Sequence, residues 1–417
     1  MGEAAYCDVP PKKIRRHLPP GTGNYSVGCV DIMCDHTVNG SFFRLFYPIE
    51  KTDVYKRDRQ WPKWCPRKQY GHGYAYYLGT SKKVFGKILN WMGGDVYVPA
   101  LWQGPLDFNQ NRFPVVVFSH GVGGNRTTYT TICCELASHG FVVAAIEHRD
   151  GTASLTYHLK EKFQRQVSLL ADHDEHSRHQ YYTHHAHGYQ EQWKWFERPN
   201  EEIPWDDYTY RNKQVHGRAD DCIRVLEVIA AMDAGKEVRN SLGLNFNMKQ
   251  FKNRLDLSKA ALVGHSFGGS TCVCALSKDN RFKVGVSLDG WMHPIDEAIY
   301  RDIWQPLLMV NMETFQWKKN IVQMQRLQDK EVERTMITIK GTCHQSVTDF
   351  QFLLKKPLAR IMGIRYTLSP RIAIAMNNKA ILGFLNKHLD IPCSDTHEDI
   401  LTGKHRFVIS GTNVDLS

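Results

Sequence analysis

The chain has 417 residues, of which 42% are hydrophobic and 23% charged, enough for a sizeable folded core and unlike a disordered or low-complexity polypeptide. The formal charge of +10 admits an anionic partner. The basic residues are dispersed, however, and no zinc-finger, RNP or basic-leucine-zipper pattern is present, so nucleic-acid binding is not expected.

The N-terminal residues 1–25 are rich in Pro, Lys and Arg and predict an extended lead-in to a single domain over 26–417. They lack the apolar segment of a signal peptide, and no apolar run in the chain approaches the roughly 18 residues of a membrane span. The eleven cysteines are scattered without a CxxC pair, which is typical of free thiols in a reducing compartment. We therefore expect a cytoplasmic protein that is not secreted.

Two kinds of strand pattern follow the lead-in. From Ser26 to Pro48 apolar and polar residues alternate around Asn39-Gly40, which predicts a β-hairpin. From Phe113 onward, continuous apolar runs alternate with helical segments. The predicted strands begin at 113, 141, 259, 282, 306 and 333, and the predicted helices cover 127–140, 218–235, 270–279 and 378–389. This alternation predicts an α/β fold with a mostly parallel central sheet flanked by helices, although 152–207 shows no clear strand.

The segment Gly264-His265-Ser266-Phe267-Gly268 fits the G-x-S-x-G nucleophile elbow. The five-residue pattern is weak alone, because glycine and serine are common. Its context is stronger, since a buried strand precedes it and a helix follows. We predict that Ser266 is a nucleophile; the alternative is an ordinary strand-to-helix turn.

A serine nucleophile needs a base, and in this fold class the partners follow in the order serine, acid, histidine. Asp289 ends the next predicted strand, and His344 follows a later one. Asp296 and Asp349 compete for the role of the acid, but neither closes a strand. We therefore predict a triad of Ser266, Asp289 and His344.

Acyl transfer also requires donors for the oxyanion of the tetrahedral intermediate. One predicted donor is the backbone N–H of Phe267, the residue after the nucleophile. The other is the N–H of Val122, in the glycine-rich loop FSHGVGGN that follows an early strand. His120 of this loop is expected to shape it rather than to transfer protons.

The segments that contain these motifs resemble the platelet-activating factor acetylhydrolase family, the group VII phospholipases A2. The similarity begins at GSFFRLFYP, continues through PVVVFSHGVGGNRTTY, and is strongest across GHSFGGST, RFKVGVSLDGWMHP and MITIKGTCHQSVTDF. It covers nearly the whole chain and looks like the intracellular type II branch. The resemblance implies an α/β-hydrolase fold, and its triad and oxyanion donors fall on the residues named above.

The resemblance also implies a function. Family members remove short or oxidised sn-2 acyl groups from phospholipids such as 1-alkyl-2-acetylglycerophosphocholine, without calcium. A phospholipid would then be the substrate, with no cofactor, metal or obligate protein partner. A broader carboxylesterase or lipase, and a non-catalytic lipid-binding protein with the same fold, stay open as alternatives. Type II members typically begin M-G-x-x-x-S; here Gly2 is present but Tyr6 replaces the serine, which leaves lipidation at Gly2 or Cys7 open.

Two further segments suggest contacts outside the triad. Residues 172–190 hold six histidines, and we expect a solvated surface insertion there; a zinc site from His176, His179, His185 and His187 is the alternative. Residues 81–94 combine an apolar stripe with lysines, as in a helix that lies on a membrane surface. A helix that packs its apolar side into the core fits the same pattern.

Overall fold

The computed structural model describes residues 14–161, 188–327, 331–354, 359–360 and 364–417. Gly2 and Cys7 lie outside these ranges, as do the four histidines of the alternative zinc site. Within the described residues, no helix is both long enough and apolar enough to cross a membrane.

The first half of the chain begins with the predicted hairpin, in which β1 (Ser26–Cys34) pairs antiparallel with β2 (Ser41–Ile49). The buried strands predicted at 113 and 141 are also present. The further elements of this half are α1 (Lys68–Tyr77), α2 (Phe85–Gly93), β3 (Leu101–Trp102), β4 (Phe113–Ser119), α3 (Thr130–Ser138), β5 (Val142–Ile146), β6 (Leu155–Glu161), β7 (Tyr189–Trp195) and α4 (Tyr208–Asp233).

The second half follows the predicted alternation of strands and helices. Its elements are β8 (Leu255–His265), α5 (Phe267–Lys278), β9 (Phe282–Leu288), β10 (Leu307–Met312), α6 (Lys318–Gln325), β11 (Arg334–Ile339), α7 (Phe350–Leu353), α8 (Pro370–His388), α9 (Glu398–Leu401) and β12 (Val408–Ser410). The helix predicted at 378–389 corresponds to α8, which starts eight residues earlier (378 − 370). Pro370 can begin this helix because the first turn does not need its missing N–H.

One ten-stranded sheet organises the molecule in the order β12-β11-β10-β9-β8-β4-β5-β2-β1-β3. The six adjacent strands β11, β10, β9, β8, β4 and β5 run parallel to one another. The hairpin strand β2 pairs with β5 antiparallel. This arrangement confirms the predicted α/β class with its mostly parallel sheet.

Side chains of the central strands alternate between two apolar layers. On β4, Val116 and Phe118 pack in the layer that contains α3 and α8. Val115 and Val117 pack in the layer that contains α4 and α5. Burial on both faces explains why these strands are continuously hydrophobic in sequence.

The segment 152–207, where the sequence placed no strand, contributes a separate antiparallel pair, β6 and β7. Tyr157 of β6 is buried against Phe42, with ring centroids 5.2 Å apart. The end of the predicted lead-in packs on α3: the backbone N–H of Thr22 donates to Glu135, and that of Gly23 donates to Ser138 Oγ.

Candidate active site

Ser266 lies at the corner between β8 and α5 with φ 57° and ψ −118°, a conformation that side-chain-bearing residues rarely adopt. The flanking glycines make this corner possible. A Cβ at Gly264 would lie 1.9 Å from the carbonyl oxygen of Gly268, and a Cβ at Gly268 would lie 2.1 Å from that of Ser119. The G-x-S-x-G spacing is therefore required by close backbone packing.

The structure brings the three predicted triad residues together. His344 Nε2 lies 3.0 Å from Ser266 Oγ, and His344 Nδ1 lies 2.7 Å from Asp289 Oδ2. Asp289 follows β9, and its Oδ1 accepts a hydrogen bond of 2.8 Å from the backbone N–H of Met312. Since a carboxylate only accepts, Nδ1 of the neutral imidazole carries the proton and Nε2 is free to accept from the serine hydroxyl.

Asp289 is almost completely buried. Burial raises the pKa of this carboxyl above its ordinary value, although the hydrogen bond with His344 and the positive charge that this ring carries when protonated oppose the rise. A buried carboxylate that is hydrogen-bonded to an imidazole stabilises the protonated form of that imidazole. A histidine that acts as a general base passes through this protonated form.

The two competing acids lie elsewhere. Asp349 caps the start of α3, where Oδ1 accepts from the backbone N–H and hydroxyl of Thr131, and Oδ2 accepts from Trp64 Nε1. Asp296 hydrogen-bonds with His216 and Asn212. Within the described part of the chain neither carboxyl hydrogen-bonds with His344, so the geometry favours Asp289 as the acid.

The imidazole of His344 contacts two rings that the sequence analysis did not predict as part of the site. Phe315 stacks on one side with ring centroids 3.6 Å apart, and His265 packs at 4.4 Å. Burial lowers the pKa of His265 well below its ordinary value, so this ring is neutral at neutral pH. Sequence adjacency to the nucleophile could have identified His265, whereas Phe315 has only its position three residues after β10 as a signal.

The glycine-rich loop after β4 runs beside the nucleophile. A Cβ at Gly121 would lie 3.0 Å from Ser266 Cβ, so the loop backbone passes directly over the serine. The N–H of Gly121 donates to Tyr129 Oη and that of Gly123 to the carbonyl of Thr152. Among the described residues, the N–H of Val122 between them has no hydrogen-bond acceptor.

Phe267 is the first residue of α5, so its backbone N–H has no acceptor within the helix. It adjoins Ser266, and Val122 lines the same cavity as Ser266. These positions fit the predicted pair of oxyanion donors, whose role stays a prediction.

A cavity of about 560 Å³ opens above Ser266 and His344, within the usual size range of small-molecule sites. Its wall is largely aromatic, formed by Tyr74, Tyr77, Tyr129, Trp205, Trp291, Phe315, Trp317 and Phe350. Polar groups, including Asp206 and Lys319, also line it. The site can therefore accept a partly apolar ester and present it to the serine.

His265, Asp289 and His344 also form the one group of potential metal ligands found in the described ranges, with ligand atoms within 4.8 Å of one another. Two of these residues belong to the hydrogen-bonded chain with Ser266. Ester hydrolysis through such a chain does not require a metal, and the absence of a cofactor stays a prediction.

The parallel sheet and the serine corner between β8 and α5 define an α/β-hydrolase. The ferulic acid esterase from Streptomyces cinnamoneus has the same fold, with a TM-score of 0.63 over 95% of this chain and 99% of that chain at 18% identity. The predicted fold class is thus confirmed.

The chain belongs to the platelet-activating factor acetylhydrolase family, and it is a carboxylic ester hydrolase. The family model described as platelet-activating factor acetylhydrolase, isoform II, matches residues 12–404. The platelet-activating factor acetylhydrolase of Canis lupus familiaris is 40% identical over 96% of this chain and 84% of its own length. That of Gallus gallus is 37% identical over 96% of this chain and 90% of its own length. The predicted family and enzyme class are confirmed.

Proposed function

We propose that the protein hydrolyses short or oxidised sn-2 acyl esters of phospholipids, such as 1-alkyl-2-acetylglycerophosphocholine, through an acyl-enzyme and without calcium. The observation that carries the proposal is the hydrogen-bonded chain from Ser266 through His344 to Asp289 at a cavity in a chain of this family. The same chain of groups performs acyl transfer on several unrelated folds.

The geometry supports a specific sequence of steps. Ser266 Oγ attacks the sn-2 carbonyl carbon while His344 Nε2 accepts the hydroxyl proton, and Asp289 stabilises the resulting imidazolium. The carbonyl oxygen becomes an oxyanion that accepts hydrogen bonds from the N–H groups of Val122 and Phe267. When the tetrahedral intermediate collapses, the bond to the lysophospholipid oxygen breaks and that oxygen takes the proton from His344 Nε2. Water then attacks the acyl-enzyme by the same steps and releases the carboxylic acid and Ser266.

Replacement of the nucleophile tests the mechanism. We expect Ser266→Ala to lower kcat by at least about 10³-fold with its melting temperature retained, and to lose the adduct that an organophosphate probe forms with the wild-type protein. Ser258→Ala, at an exposed serine on β8, is the matched control. Wild-type activity in purified Ser266→Ala would refute the mechanism, and a wild-type protein without an adduct would favour a lipid-binding protein.

The acyl preference rests on family membership and needs its own experiment. Rates on phospholipids with acetyl, short, oxidised and long sn-2 chains, measured with calcium chelated, test it directly. Fast turnover of the acetyl ester and slow turnover of the long-chain ester are expected. Equal rates across the series would instead indicate a broader carboxylesterase or lipase.

We further propose that the enzyme acts in the cytoplasm and meets its substrate at a lipid surface through α2 and the residues before it. Val84, Ile88 and Trp91 are 64%, 39% and 72% exposed, whereas Leu89 and Met92 are buried in the core. The helix therefore combines the two structures predicted for residues 81–94. One side packs into the core, and the other presents apolar side chains to solvent, as a membrane-surface helix does. It packs on α1, whose Tyr74 and Tyr77 line the cavity.

A further inference from the structure

A second chain of serine, histidine and aspartate lies outside the cavity. Ser119 Oγ is 2.9 Å from His148 Nε2, and His148 Nδ1 is 2.8 Å from Asp221 Oδ2. Ser119 ends β4, His148 follows β5, and Asp221 lies on α4. The three residues therefore join two neighbouring strands to one helix.

The hydrogen-bond directions in this chain are fixed. The carboxylate of Asp221 can only accept, so His148 Nδ1 carries a proton. Burial, and after it the charge of Arg218, lowers the pKa of His148 well below its ordinary value, which keeps the ring neutral. His148 Nε2 therefore accepts from the Ser119 hydroxyl. Ser119 has no exposed surface and does not line the cavity, so it cannot attack a substrate.

Arg218 connects the chain to the glycine-rich loop. Its Nη2 donates to Ser119 Oγ at 3.2 Å and to the carbonyl oxygen of His120, and its Nη1 donates to Thr152 Oγ1 at 3.0 Å. The carbonyl of Thr152 in turn accepts from the N–H of Gly123. The guanidinium is buried, and these acceptors hold it beside the loop.

The histidine next to Ser119 is held as well. The backbone N–H of His148 donates to His120 Nε2 at 3.1 Å, and His120 Nδ1 lies 2.7 Å from the carbonyl oxygen of Gly121. Polar groups on both sides of Val122 are thus bonded within the protein, and its N–H is left for a ligand. Within the described part of the chain, the N–H groups of Gly121, Gly123 and Gly124 are paired, whereas that of the half-buried Val122 has no protein acceptor.

We propose that Ser119, His148 and Asp221, with Arg218, are positioning residues that hold the loop so that the N–H of Val122 meets the oxyanion. This inference rests on the proposed function, in which that N–H is a donor. The group acts through the loop and touches no reacting atom. Oxyanion donors must be held in place before reaction, since a donor that has to reorganise loses most of its effect.

Substitutions at the two ends of the chain test the proposal. Ser119→Ala removes the hydrogen bonds with His148 and Arg218. Asp221→Asn removes the negative charge beside His148 and Arg224. We expect Ser119→Ala and Asp221→Asn to lower kcat on the acetyl ester by about tenfold or more with little change in KM, because only the transition state has the oxyanion. Asp233→Asn is the matched control. Asp233 is also a largely buried, hydrogen-bonded carboxylate on α4, but it contacts Arg112 and the N–H of Leu255. The Asp233→Asn variant should be less stable than the wild-type protein but keep its kcat.

A second measurement separates positioning from general destabilisation. A trifluoromethyl ketone analogue of the ester forms a bond between its carbonyl carbon and Ser266 Oγ; the serine proton passes to His344, and the carbonyl oxygen becomes an oxyanion. Its inhibition constant should rise in proportion to the fall in kcat/KM across the variants.

Three results would overturn the proposal: unchanged kcat in both folded variants, an unchanged inhibition constant despite a lower kcat, or an equal loss of kcat in Asp233→Asn. Ser119→Ala removes only a hydroxyl, so it provides the result if Asp221→Asn does not fold. Activity in Ser266→Ala would instead refute the proposed function, whereas normal kcat in the Ser119 and Asp221 variants would refute this inference alone.

Discussion

Phe315 covers one face of the His344 imidazole, with ring centroids 3.6 Å apart and ring planes inclined by 26°. In the proposed mechanism, His344 accepts the serine proton and becomes a cation beside the electron-rich face of Phe315, a favourable arrangement worth about 0.5–2 kcal/mol. Phe315→Leu should therefore lower kcat by about 2- to 30-fold. Phe315→Tyr, which retains an aromatic face, should stay near wild type, and equal kcat for the Leu and Tyr variants would contradict this role.

The acid of the triad can be distinguished from its neighbour in sequence. Asp289→Asn removes the acceptor that holds the Nδ1–H tautomer of His344, and we expect kcat to fall by about 10³- to 10⁴-fold. The Asp296 carboxylate hydrogen-bonds with His216 and Asn212. Asp296→Asn should therefore leave kcat near the wild-type value. Steady-state kinetics on a soluble ester measure both, and the reverse ranking would assign the acid to Asp296.

The approach of the glycine-rich loop to the serine can be tested with a single methyl group. The Cβ of Gly121→Ala would lie 3.0 Å from Ser266 Cβ and 3.2 Å from the carbonyl oxygen of His265, so the loop must shift. We expect kcat to fall by about 10- to 100-fold. Gly217→Ala is the control, because its Cβ meets nothing within 4 Å in α4 and should stabilise the helix by about 0.5–1 kcal/mol. An unaffected kcat in Gly121→Ala would argue against this close packing.

Lipid docking through α2 predicts a difference between two equally exposed tryptophans. Trp91 on α2 is 72% exposed, and Trp304, just before the N-terminal end of β10 and so at the sheet edge opposite Ser266, is 73% exposed. Trp91→Ala should weaken binding to vesicles that contain phosphatidylserine by about 5- to 30-fold, since about 1–2 kcal/mol of apolar burial is lost. Trp304→Ala should bind as wild type in a co-sedimentation assay. Equal effects would place the docking surface elsewhere.

Glu135 on α3 predicts a pH-dependent contribution to stability. Burial alone would raise its pKa, but hydrogen bonds from His139 and Thr22 lower it below the ordinary value. Because the folded-state pKa is depressed, the stabilisation is present above the unfolded pKa of about 4.3 and is lost as pH falls through the folded-state pKa. Glu135→Gln should cost about 1 kcal/mol at pH 7.

Urea denaturation of Glu135→Gln and wild type at several pH values measures this contribution. The difference in unfolding free energy between the two proteins should shrink toward zero as the solution becomes acidic. A difference that stays constant with pH would show that the hydrogen-bond geometry, and not the charge of Glu135, stabilises the contact with the N-terminal segment.

The amino-acid pattern alone was enough to derive the alternating α/β order, and it also predicted the triad positions. Strands buried on both faces must be continuously apolar, as around Val115 and Val116, and that signal survives without any structure. Ser266 could be predicted as the nucleophile because the corner admits only glycine at 264 and 268. Asp289 and His344 could be predicted as its partners because each follows a strand in a fixed order.

Which side chains meet became clear from the folded structure alone. It placed Asp289 rather than Asp296 or Asp349 beside His344, and it put Phe315 on the ring, although these residues are well separated in sequence. It also formed β6 and β7 from a segment without a strand pattern, and linked Ser119 to His148 and Asp221. The periodicity of apolar residues indicates which face of a helix or strand is buried. Contacts between side chains far apart in sequence depend instead on how whole elements pack, and the local sequence pattern does not specify that packing.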